Sequence, residues 1–119
     1  GVHLETGEVT NYSLALDTHE EPEGIYPDGQ YTLVESDREA GTGTWPGHID
    51  FYKLALDGSG ETRRLSFFAE SGIWRGTNPV VSDDGKYIAF QVSPASAEAG
   101  VGTGIYIYDI KEAEKAGGW

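Results

Sequence analysis

An Asp-Gly pair stands at residues 28–29 and again at 84–85, and the residues around the two pairs match. Glu23-Gly24-Ile25-Tyr26-Pro27-Asp28-Gly29-Gln30-Tyr31 aligns with Pro79-Val80-Val81-Ser82-Asp83-Asp84-Gly85-Lys86-Tyr87 at an offset of 56 residues. Downstream, Ile49-Asp50-Phe51-Tyr52-Lys53-Leu54 matches Ile105-Tyr106-Ile107-Tyr108-Asp109-Ile110 at the same offset. A weaker echo joins Leu4-Glu5-Thr6-Gly7-Glu8-Val9-Thr10 to Leu56-Asp57-Gly58-Ser59-Gly60-Glu61-Thr62. Two blocks held in one register describe a repeated structural unit, and a repeat of this period confines the chain to stacked architectures.

The repeated unit reads as antiparallel β-structure. Segments 31–36 and 87–92 are rich in β-branched and aromatic residues, and each follows Asp-Gly, the strongest short hairpin signal. Segments 2–4, 9–12, 48–56, 62–66, 78–81 and 105–110 also read as extended. Only 111–116 favours a helix. The strands are apolar on both faces: Tyr87 and Ala89 oppose Ile88, Phe90 and Val92, while Ile105 and Ile107 oppose Tyr106, Tyr108 and Ile110. A sheet with one wet face would alternate apolar and polar residues, so both faces must be covered, and no helices exist to cover them. Sheets stacked face to face meet that need. The expected fold class is all-β, with about two four-stranded antiparallel blades of a β-propeller. An ordinary β-sandwich is the competing architecture, and the period favours the propeller.

Charge and composition narrow the function. Eight Lys and Arg against twenty Asp and Glu leave a net charge of −12. A nucleic-acid partner is therefore not expected, because phosphate binding draws its energy from clustered cations. Without Cys, disulfides and thiol chemistry are excluded. No apolar run is long enough to span a bilayer as a helix. The absence of Met gives the expectation that the chain is a fragment or a processed product.

The pattern Pro79-Val80-Val81-Ser82-Asp83-Asp84-Gly85-Lys86-Tyr87-Ile88-Ala89-Phe90, followed by Ile105-Tyr106-Ile107-Tyr108-Asp109, resembles the blade of the TolB-like, WD-repeat-like β-propeller repeat family. The first copy is looser: Glu23 replaces Pro79, Tyr26 stands where Ser82 does, and Lys53 replaces Asp109. The run 56–66 resembles the family's blade ending. The resemblance implies three parts: residues 1–22 as the end of a preceding blade and its connection, 23–68 as a complete blade, and 69–119 as a partial blade with a polar C-terminal tail. Propellers carry about four to eight blades, so the resemblance also implies partners in the form of remaining blades or further copies of the chain. The family includes periplasmic components of envelope complexes, propeller domains of oligopeptidases and some polysaccharide-degrading enzymes. It thus implies a periplasmic or secreted location.

In this topology the intra-blade loops at 37–47 and 93–104 share one rim with the inter-blade connections at 13–24 and 67–77. Loops on a rigid scaffold carry function. The candidate binding residues are Trp45, Trp74, Arg38, Arg75, His48, Glu35 and Asp50, set against the bland reading that Gly-rich loops merely turn the chain. The leading expectation is a non-catalytic propeller segment that binds a protein, peptide or glycan partner through this rim. The alternative is the propeller part of an oligopeptidase-like hydrolase or a polysaccharide lyase, with Glu35, Asp37, Arg38, His48 and Asp50 converging for acid–base work. An Arg38–carboxylate pair ordering the loop is the structural reading of the same residues. No nucleophile elbow, P-loop or dinucleotide fingerprint is present. His3, His19 and His48 share no metal-ligand spacing, so zinc is not expected. No cofactor is expected beyond Ca²⁺ at the acidic run 17–23, which otherwise reads as a solvated connection.

Overall fold

Both Asp-Gly pairs close tight hairpins. In the computed structural model, which describes residues 1–39 and 48–116, the two turns are superimposable in their hydrogen bonding. Tyr26 N–H donates to Tyr31 C=O at 2.9 Å and Gly29 N–H to Tyr26 C=O at 2.8 Å. In the second copy Ser82 N–H donates to Tyr87 C=O at 2.9 Å and Gly85 N–H to Ser82 C=O at 2.8 Å. Gly29 has φ 68° and Gly85 φ 69°, a left-handed conformation that a Cβ would penalise.

The chain runs β1 (Glu20–Ile25), β2 (Tyr31–Ser36), β3 (Asp50–Ala55), β4 (Thr62–Arg64), α1 (Phe68–Ser71), β5 (Trp74–Val81), β6 (Tyr87–Pro94), β7 (Gly104–Asp109) and α2 (Ile110–Ala116). Strands β1 to β4 form one antiparallel meander, and β5 to β7 form another. Two expectations change. The segments 2–4 and 9–12 form no strand and meet only through a Val2–Val9 bridge. The connections before β1 and β5 are shorter than the sequence suggested, because Glu20 already pairs with Ser36 and Trp74 with Pro94.

The repeat governs the first hairpin of each sheet to the residue. The ladder slips between Pro22 and Gly24 and again between Thr77 and Val80, a β-bulge at matching positions. Glu21–Glu35 corresponds to Thr77–Gln91, and Gly24–Leu33 to Val80–Ala89. The third strands depart from the sequence alignment. Tyr31 pairs with Ala55, whereas Tyr87 pairs with Asp109, so the spatial offset there is 54 residues and Ile105 occupies the place of Phe51 rather than of Ile49. The slip is two residues, which keeps every side chain on its face. At the strand's end Asp109, the ladder partner of Tyr87, also caps α2, accepting from Lys111 N–H at 2.8 Å and Glu112 N–H at 3.3 Å.

The core lies between the two sheets. Leu33, Phe51 and Leu65 meet Ile88 and Phe90, with Tyr26 and Ile110 closing one end. Phe51, Phe68 and Phe90 form an edge-to-face and tilted cluster with centroids 5.2–5.9 Å apart. Gly76 lets the cluster close, since a Cβ there would stand 2.5 Å from both the Phe51 and Phe68 rings. The other face of the first sheet carries Val34, Tyr52 and Leu54, and the N-terminal segment lies across it, leaving a groove of about 870 Å³. The other face of the second sheet is open: Val80, Tyr87, Ile105 and Ile107 are 45–77% exposed.

Candidate functional site

Strand alternation divides the connections between the two ends of the sheets. One end holds the Asp28-Gly29, Asp57-Gly58 and Asp84-Gly85 turns, joined by α2. The chain leaves β2, β4 and β6 at the other end, and the approach to β1 arrives there too. Glu35, Arg38, His48, Asp50, Trp74 and Arg75 all sit at this second end. Trp45 lies outside the described residues.

The charged members of the set hold the rim together. Asp50 is 1% exposed and gathers four donors: Arg64 Nη2 at 2.7 Å, Ser66 Oγ at 2.7 Å, Phe68 N–H at 2.6 Å and Ala69 N–H at 3.3 Å. It thereby caps α1 from a distance and satisfies helix donors that have no partner of their own. Arg75, also 1% exposed, donates to Ser93 Oγ and to the carbonyls of Ala97 and Glu98, each at 2.9 Å. It pins the loop after β6 from beneath. Arg38 pairs with Glu20, donates to Thr62 Oγ1 at 2.7 Å and stacks over the Tyr52 ring at 5.4 Å. The pair orders the approach to β1 against β4. His48 is half-buried beside the fully buried Ile49.

The five-residue acid–base group does not come together. Glu35 lies opposite Phe51 on the face toward the second sheet, while Asp50 lies opposite Ser36 on the reverse face. Asp37 turns back to accept from His19 N–H at 2.8 Å. What the fold brings together instead is Glu35 with His19 and Glu21. Glu21 is the cross-strand partner of Glu35, and His19 Nε2 lies 3.3 Å from Glu21 Oε1. Glu35 Oε2 accepts from Asn78 N–H at 2.6 Å, across the gap between the sheets. Burial pushes the Glu35 carboxyl up to about 7; the Asn78 amide opposes that rise, and the Glu23 and Glu21 charges add to it. Asn78 has φ 52°, an unusual conformation for a residue other than Gly, and it occupies the bulge. The sequence carried the signal for this group. Counting back from the Asp28-Gly29 turn through one bulge sets Glu21 against Glu35, but the bulge itself is not legible in the residues.

Outward, the rim presents apolar surface. Ile73 is 64% and Trp74 40% exposed, directly above the anchored α1 and its left-handed Gly72 cap at φ 65°. No family model matches the chain, and no curated protein matches it. Among solved structures it is similar to TolB from Acinetobacter baumannii, with a TM-score of 0.57 and 24% identity, over 92% of this chain and 23% of that one. The likeness shows the fold: two successive sheets of β-propeller type, not closed into a ring. The chain spans about a quarter of the length of that TolB chain. Among the described residues, no helix is long and apolar enough to cross a membrane.

Proposed function

We propose that the chain is a non-catalytic β-propeller segment whose rim binds a protein, peptide or glycan partner. The observation that carries this reading is the exposed Ile73–Trp74 pair on a backbone held by buried Asp50 and Arg75. A large aromatic on a rigid support contributes contact area at little entropic cost, which is how binding hot spots are built. Arg38, Arg75, Glu35 and Asp50 then serve the rim chiefly as its frame, and His48 sits at the same end of the sheets. The family resemblance supports a periplasmic or secreted setting and further blades beside these two.

The test is Trp74→Ala, probed on immobilised peptide and glycan arrays alongside thermal unfolding. The reading expects ligands of the wild-type protein to be lost while the melting temperature stays within a few degrees. If Trp74 is core instead, the substitution destabilises by about 3–5 kcal/mol, and the large drop in melting temperature overturns the binding role.

A further inference from the structure

The Glu21–Glu35 pair is out of keeping with the rest of the repeat. Like charges directly opposite on neighbouring strands are destabilising, and the second copy has the neutral Thr77–Gln91 at the same place. The first copy adds an imidazole to the two carboxylates. One ligand atom from each of His19, Glu21 and Glu35 lies within 4.8 Å of the others. Glu35 is 1% exposed, and the Asn78 amide fixes its carboxylate from the next sheet, as outer donors orient metal ligands. Arg38, the nearby guanidinium, is taken by Glu20, which alternates to the opposite face of β1. The group therefore combines two carboxyl groups and an imidazole, held at the junction of β1, β2 and β5.

We propose that His19, Glu21 and Glu35 bind a divalent transition-metal cation, Zn²⁺ or Mn²⁺. A nitrogen ligand beside carboxylates favours these ions over Ca²⁺ and Mg²⁺, which take oxygen alone. Ligand atoms around one such ion stand roughly 3–3.5 Å apart, given bonds of about 2.0–2.2 Å. Closing to that spacing asks most of Glu21, whose side chain is 46% exposed and has room to turn. Three protein ligands leave further positions for water or for an oxygen of whatever the rim binds. The site stands on its own geometry, apart from the identity of any rim partner.

Titration calorimetry of the chain with ZnCl₂ and with MnCl₂ tests the proposal, with Mn²⁺ also followed by its paramagnetic resonance. One ion should bind per chain. Glu21→Gln and His19→Gln should each weaken it at least about tenfold. Metal-free Glu21→Gln should melt no lower than wild type, because it replaces one of two facing acids with a neutral amide; a purely structural role for Glu21 predicts the reverse. Should His19→Gln fail to fold, Glu21→Gln alone decides. No binding by the wild-type chain, equal affinity in the variants, or binding of Ca²⁺ that ignores His19→Gln overturns the site.

Discussion

At the residue scale the rim is a set of buried charges with assigned partners. Asp50 illustrates how little of that is visible in sequence: it reads as a candidate acid, yet its four donors come from residues 14 to 19 positions downstream. Asp50→Ala removes the buried partner of the Arg64 guanidinium, which keeps Glu70 at 3.1 Å, and takes the acceptor from two helix N–H groups. It should destabilise by about 3–5 kcal/mol, as removal of one partner of a buried pair does. Urea unfolding measures this, and a loss below about 1 kcal/mol would contradict the anchoring role. Asp84 shows the opposite case, a fully exposed carboxyl in a turn. The Lys86 ammonium, the Ser82 hydroxyl and the Lys86 amide hold its pKa down from 3.8 to about 2. A carboxyl lowered on folding favours the folded turn above its unfolded value. That contribution is present above pH 3.8 and is lost as the pH falls through about 2. A carbon-detected NMR titration of Asp84 should show the low midpoint, and Lys86→Ala should move it back up.

At the scale of elements, the hairpins were the legible part. The Asp-Gly turns, the strand after each and the 56-residue offset all follow from local chemistry that travels with the sequence. The third strand is not legible, because the matching blocks do not mark where each strand ends. Identical-looking Ile-x-x-Tyr blocks pair two residues apart: β7 ends at Asp109, which also caps a helix, whereas β3 runs on past Lys53, which lies under the Tyr26 and Tyr31 rings, to Ala55. The candidate site suffered from the same limit. In the sequence Glu35 stands out, whereas Glu21 belongs to a run that reads as solvated, and only the bulge in β1 turns it toward Glu35. Asp109→Ala removes the cap of α2 and should cost about 0.5–2 kcal/mol. Hydrogen exchange should then speed across 111–116, with the Ile110 amide, bonded to Lys86 C=O at 2.8 Å, staying protected as part of the β6–β7 pairing. Loss of protection in β7 as well would show that the helix, and not the strand, fixes the register.

At the scale of the molecule, the two sheets are alike in design and unequal in cover. The first has four strands, sheet packing on one face and the N-terminal segment on the other. The second has three strands, an edge at β7 and an apolar outer face of Val80, Tyr87, Ile105 and Ile107. In a stacked architecture such a face is a packing surface, and an unpaired edge beside it invites another strand. Light scattering coupled to size-exclusion chromatography on the 12.9 kDa chain tests this account of its architecture most directly. A mass above the monomer that rises with concentration is expected, with a return to monomer when Ile105 and Ile107 are both changed to Lys. A stable monomer at every concentration, with the wild-type face exposed to water, would contradict it.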